Sequence, residues 1–208
     1  MATGTAGTAT GTAGMRADAR RNRQRLLAAA LAAFTEHGAD DASLDEIARR
    51  AGVGIGTLYR HFPTRQTLLE AVYRDQVEEL CASAREHSAS AASPAGALAG
   101  WLRALMVFGA TKRNLTSSLM SGPEGKRSEV AVSCSAMVRD AVGELLAGAQ
   151  RSGEIRPDVD ATDLLRLSHA LSLAGELPST HADQSDRLMR VLLDGLRAPG
   201  SGPAGAGD

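Results

Sequence analysis

Aromatic side chains are scarce in this 208-residue chain: one Trp, two Tyr and three Phe make up 3% of it. Sheets fill their pleated faces with aromatic and β-branched residues. An apolar fraction built mostly from Ala and Leu instead points to an all-α protein. Cysteine is equally sparse, and Cys81 and Cys134 alone cannot furnish a disulfide framework or a cysteine-rich zinc site. The longest wholly apolar run, Leu26 to Phe34, falls well short of the roughly 18 to 20 residues a membrane span needs. No basic stretch followed by an apolar one opens the sequence, so the expectation is a cytoplasmic protein without a membrane partner. Catalytic signatures are missing too. His37, His61, His87, His169 and His181 show no metal-ligand spacing, no glycine-rich phosphate loop follows a strand pattern, and no serine sits on an elbow motif. Neither an enzyme, a metal site nor a cofactor is expected.

Residues 1–14 hold only Met, Ala, Thr and Gly, and residues 199–208 are Gly, Pro, Ala and Ser with one acid. Neither segment offers bulky side chains to bury, so both are expected as disordered tails. Between them the spacing predicts about nine helices and no strand. Leu27, Ala30, Leu31 and Phe34 mark a first helix over 20–37, which Gly38 ends. Ser43 with Glu46 three residues on reads as a capping box for a second helix, which stops at Gly52. A short helix over 55–62 ends at Pro63, and Thr64 caps a longer one running toward Glu86. A connection is expected over 87–93. Ser93 and Pro94 then start a helix carrying Leu98, Trp101, Leu105 and Phe108. A short helix near 115–120, a long one over about 127–152, and two more over 161–173 and 183–196 complete the chain. The expected domains are 15–80 and 81–198.

The formal net charge is −1, but its distribution is uneven: residues 1–65 hold nine Arg against six acids. Arg16, Arg20, Arg21, Arg23 and Arg25 lie just before and in the first turns of the first helix, and Arg49, Arg50, Arg60 and Arg65 follow with no acid among them. An Arg on a helix exterior is ordinarily just solvated, so the weight rests on the combination with local structure. The helix, glycine turn and short helix from Ser43 to Phe62 form a helix-turn-helix, whose second helix enters the major groove of DNA with its N-terminal residues at the base edges. Those residues are Gly54, Ile55, Gly56 and Thr57. The glycines permit close backbone approach, and Thr57 offers a hydroxyl and a methyl. Tyr59, Arg60 and His61 offer polar tips to phosphates or outer bases, whereas Leu58 and Phe62 should face the core.

The run Ser43-Leu-Asp-Glu-Ile-Ala-Arg-Arg-Ala-Gly-Val-Gly-Ile-Gly-Thr-Leu-Tyr-Arg-His-Phe62, with Pro-Thr-Arg-Gln-Thr-Leu-Leu-Glu-Ala-Val-Tyr73 after it, resembles the DNA-binding domain of the tetracycline-repressor (TetR) family. The resemblance covers roughly residues 20–80. It implies Thr57, Tyr59 and His61 as DNA contacts, Thr64 and Arg65 as phosphate clamps, and Ser43 as a cap facing a phosphate. Ile55 stands where many members carry a polar or basic residue, which shifts base reading toward contact with thymine methyls.

The resemblance further implies a helical C-terminal domain that binds a small-molecule effector and dimerises through its last two helices. Leu164, Leu167, Leu171, Leu188, Val191, Leu192 and Leu196 form stripes suited to a homodimer contact, although such stripes can equally pack inward. Trp101, Leu105, Phe108, Met120, Cys134, Met137 and His169 could line an effector cavity; each such residue is more often plain core, and Cys134 reads as a small buried hydrophobe. The expected activity is a repressor released from a palindromic, double-stranded operator by its effector. A helical ligand-binding module that no longer reads DNA is the alternative.

Overall fold

The structure, a computed structural model, describes residues 9–111, 115, 119, 128–174 and 182–198. Among them are eight helices: α1 (Ala9–His37), α2 (Leu44–Arg50), α3 (Ile55–His61), α4 (Arg65–Ser90), α5 (Pro94–Thr111), α6 (Glu129–Arg151), α7 (Ala161–Ala174) and α8 (Ala182–Leu196). They group into two compact units, one of α1, α2, α3 and the start of α4 to Asp75, the other of the rest of α4 from Gln76 with α5, α6, α7 and α8. Helix α4 begins in the first and ends in the second.

The core of the first unit follows from helical spacing. Leu26, Leu27, Ala30, Ala33 and Phe34 of α1 are buried together with Ile47 and Ala48 of α2, Leu58 of α3, and Leu68, Leu69 and Val72 of α4. Helix α1 ends where Gly38 takes a φ of 86°, a left-handed conformation that costs other residues a Cβ clash. Its start corrects the sequence reading. The helix is already formed at Ala9, inside the stretch expected to be a disordered tail through Gly14, because extending an anchored helix fixes one residue per added hydrogen bond and needs no new nucleus.

Helix α4 likewise runs through most of the expected connection at 87–93 and stops only at Ser90. Its polar residues bond within the helix rather than break it: His87 Nδ1 lies 2.8 Å from the Ser83 carbonyl, and Ser90 donates to the Glu86 carbonyl at 2.8 Å. Ser93 then caps α5 as expected, accepting from the Gly96 N–H at 3.2 Å, with Pro94 as first helical residue.

In the second unit α5 packs against α6 and α7, and α6 against α7. Trp101 is fully buried in a cluster with Leu98, Leu102, Val142, Leu146 and Leu164, and its indole N–H donates to the Leu80 carbonyl at 3.0 Å, tying α5 to α4. Ser128 caps α6 through the Ala131 N–H, and Gly153, at a φ of 75°, closes it. Gln150 then organises the following loop by donating to the carbonyls of Arg156 and Val159 at 3.1 and 2.9 Å. An antiparallel bridge, unanticipated from sequence, joins that loop to the end of α8: the Arg156 N–H donates to the Leu196 carbonyl at 2.9 Å and the Ala198 N–H to the Glu154 carbonyl at 3.1 Å.

Replacing Trp101 by Phe keeps most of the buried ring but removes the indole donor. The Leu80 carbonyl retains the Ser83 hydroxyl at 2.7 Å, so no acceptor is orphaned and the expected loss of stability is about 1 kcal/mol in urea unfolding. A loss of several kcal/mol would mean that the ring itself no longer fits.

Candidate nucleic-acid interface

The short helix α3 is held by its neighbours rather than by intrinsic propensity. Ser43 caps α2, its hydroxyl accepting from the Glu46 N–H at 3.3 Å. At the other end of α2 the Val53 N–H bonds back to the Ala48 carbonyl at 3.0 Å and the Gly52 N–H to that of Arg49 at 3.1 Å, a Schellman closure that places Gly52 at a φ of 66°. This reverses the chain in three residues. Gly54 follows in an extended conformation and gives α3 no side-chain cap.

Leu58 and Phe62 are buried, which turns the opposite face of α3 outward. There Tyr59 is 48% exposed, Gly54, Gly56 and Arg60 are exposed, and Ile55, Thr57 and His61 are half-buried. The Arg23 guanidinium lies 5.7 Å above the Phe62 ring, so a cation from α1 closes over the residue that anchors the end of α3.

After α3, Thr64 and Thr67 cap α4 reciprocally: the Thr67 N–H donates to the Thr64 hydroxyl and the Thr64 N–H to that of Thr67, both at 3.1 Å. The Thr64 hydroxyl expected to clamp a phosphate is thus engaged in its own cap. Arg65 is partly committed as well, with one guanidinium N–H on the Ala39 carbonyl at 2.9 Å, where it staples the α1–α2 loop to α4.

The basic cluster after Glu46 is also less free than its sequence indicates. Arg49 forms bonds of 2.8, 2.8 and 2.6 Å to the Glu46 carboxylate, and Arg50 reaches both Glu46 and Glu36 at 2.8 Å. The acids that neutralise these arginines precede them in the chain. Glu46 was legible at i−3 and i−4, whereas Glu36 lies fourteen residues away and only the packing of α1 against α2 brings it there. The Glu46 side chain therefore does not complete the expected capping box. Hydrogen bonds from Arg50 and then Arg49 hold its carboxyl below the usual range, so the clamp persists at neutral pH and loosens only as acid protonates it. In α1, Arg21 pairs with Asp18 and Arg25 donates to Asn22, while Arg16 and Arg20 are exposed.

The residues expected at an effector cavity do not gather into one wall. Trp101 is core and Cys134 is fully buried, while Leu105 and Phe108 are half-buried against the same core. His169 is exposed on α7 and apart from that core. Met120 lies outside the described residues. Met137 alone lines a groove of about 710 Å³ between α4 and α6, beside Glu78, Cys81, Arg85, Ala141 and Glu144. Burial, reinforced by Cys134, Asp140 and Glu78, pushes the Cys81 thiol up to about 11, so it is protonated at neutral pH. Of the expected dimer stripe, Leu164 and Leu196 are buried within the single chain: Leu164 belongs to the Trp101 cluster, and the Leu196 carbonyl accepts from the Arg156 N–H. Leu171, Leu188 and Leu192 are half-buried, whereas Leu167 at 43% and Val191 at 70% are exposed, joined by Leu173 at 48%.

Two family profiles match the chain. Residues 26–72 match "Bacterial regulatory proteins, tetR family", and residues 93–198 match "Transcriptional regulator SbtR-like, C-terminal domain". The TetR transcriptional regulator SCO0520 of Streptomyces coelicolor is 37% identical with a TM-score of 0.70, over 85% of this chain and 98% of that one. A TetR regulatory protein from Mycobacterium vanbaalenii is also 37% identical, with a TM-score of 0.67 over 88% and 99%. A curated HTH-type regulator, TtgW of Pseudomonas putida, is 48% identical over 56 residues, 27% of this chain and 42% of its own length. The chain thus spans less than half the length of that curated relative.

Glu46→Gln should release Arg49 and weaken the hold on Arg50 while leaving the backbone cap at Ser43 intact. If either arginine then reaches a phosphate, the slope of log affinity against log salt for duplex DNA steepens by about 0.9 per new contact, measured by fluorescence anisotropy. An unchanged slope would place both side chains away from the duplex.

Proposed function

The chain belongs to the TetR family of helix-turn-helix, DNA-binding transcriptional regulators, which are not enzymes, and on that premise we propose that it is a homodimeric repressor displaced from a palindromic operator by a small-molecule effector. The observation that carries the DNA-reading half is the two-sided character of α3, with Leu58 and Phe62 buried and Tyr59 and Arg60 projecting. In this reading the N-terminal turn of α3, Gly54 to Thr57, meets base edges in the major groove. The exposed glycines allow the backbone close to the duplex, and Ile55 and the Thr57 methyl rest on thymine methyls. Tyr59, Arg60 and His61 reach phosphates or outer bases. Ser43, Thr64 and Arg65 flank the helix, and Arg65 keeps further N–H groups to offer beyond the one on Ala39.

The dimer is proposed on α7 and α8, supported by the exposed Leu167, Leu173 and Val191, with half-buried Leu171, Leu188 and Leu192 at the margin. Solvated apolar residues on neighbouring helices gain from a second copy, and a two-fold pair sets two recognition helices roughly 34 to 36 Å apart, one turn of B-DNA. Effector control would act through α4, which runs from Arg65 in the DNA-reading unit to Ser90 in the other. An effector shifts that equilibrium only by its differential affinity for the two states, and a swing from 1:99 to 99:1 takes about 5.5 kcal/mol.

Replacing Thr57 or Tyr59 by Ala should weaken operator binding at least tenfold in a gel-shift titration, with helicity by circular dichroism unchanged. Binding equal to wild type would remove those side chains from the interface. Replacing Val191 by Asp should shift the protein toward monomer in sedimentation; an unaltered dimer would move the contact elsewhere.

A further inference from the structure

One polar group in the second unit is unaccounted for by the fold. Serine and threonine inside helices ordinarily satisfy their hydroxyl on the carbonyl one turn back. Thr35, Ser83, Ser90, Thr111, Ser135 and Ser172 all do so here, at 2.7 to 2.9 Å. Ser168 does not. It is 2% exposed, it is the only residue of the polar or charged types buried among those described, and its Oγ has no hydrogen-bond partner among the described residues. A buried hydroxyl without a partner forgoes the hydrogen bonds that water gave it in the unfolded chain, so its retention calls for a compensating contact.

Its position supplies one. Ser168 lies on α7 one turn from Leu164 and one turn from Ser172, the face that packs on α5. There a Cβ added at Gly109 would stand 3.2 Å from the Ser172 hydroxyl, so the missing side chain lets α5 and α7 approach. On the same two helices, Leu105 and Phe108 of α5 and Leu165 of α7 are half-buried against the core cluster. Such side chains can turn aside at lower cost than fully packed ones. The groove between α4 and α6 carries no such group: its polar lining of Glu78, Arg85 and Glu144 is exposed to solvent and lacks nothing that a ligand would supply.

We propose that the Ser168 hydroxyl is the hydrogen-bonding handle of an effector site between α5 and α7, and that the ligand it takes is apolar and uncharged, carrying a carbonyl or hydroxyl oxygen. The absence of charge follows from the surroundings. No charged side chain among the described residues is buried, so an ionised head group at this depth would lack a counter-ion, whereas a neutral oxygen needs only the one hydroxyl. This deepens the proposed effector control and rests on it.

The test uses the full chain and three eight-carbon probes, 1-octanol, 2-octanone and octanoate, by thermal shift and isothermal titration. Octanol and octanone should raise the melting temperature and octanoate should not. Ser168→Ala should cut affinity for both neutral probes by about fivefold, the worth of one hydrogen bond, and should leave the melting temperature of the unliganded protein unchanged or raised. The proposal is overturned if octanoate binds as well as octanol, if no probe binds up to its solubility, or if the variant binds them unchanged. It is equally overturned if the unliganded variant melts several degrees lower, since the hydroxyl would then already be bonded. An operator gel shift run in parallel separates the two ideas: neutral probes that bind through Ser168 yet leave the DNA complex intact refute effector control and preserve the site.

Discussion

The orientation of a seven-residue helix governs everything else in this molecule. Helix α3 is too short to be stable alone, since isolated helices below about 12 residues are marginal in water. It persists because Leu58 and Phe62 are driven into the core made by α1, α2 and α4, and because the Schellman closure at Gly52 fixes the angle at which it leaves α2. The same two anchors decide which face is left over. Tyr59 and Arg60 are outward because Leu58 is inward, so stability and surface chemistry are set by one packing event.

Electrostatics refines that surface rather than creating it. The arginine count of the first unit overstates the positive charge available, because Glu46 and Glu36 hold Arg49 and Arg50, Asp18 holds Arg21, and Arg23 lies over Phe62. Exposed pairs of this kind are weak and are readily exchanged for a phosphate. The unit combines a rigid apolar anchor with charges that can be redirected, an arrangement suited to binding DNA without carrying a large unpaired charge when free.

Much of this was legible in the sequence, and the reasons are local. The caps at Ser43, Thr64 and Ser93, the stops at Gly38, Gly52 and Gly153, and the inward Leu58 and Phe62 all depend on residues within one helical turn of each other. What was not legible depends on contacts between distant segments. Glu36 on Arg50 and the Ala39 carbonyl on Arg65 arise only once helices pack. Leucine stripes on α7 and α8 say that a face is apolar without saying what covers it, and the answer differs along one stripe: Leu164 and Leu196 turn inward while Leu167 and Val191 do not. Ser168 was invisible for the same reason, since a serine in a helix carries no sign of whether its hydroxyl is satisfied.

Footprinting of the full-length protein on the DNA flanking its own gene tests the central claim most directly. The account expects discrete protection of two symmetry-related half-sites with centres about one helical turn, or 10 to 10.5 base pairs, apart or a small multiple of that. Protection of no discrete site, or of a lone half-site without a symmetry mate, would contradict it.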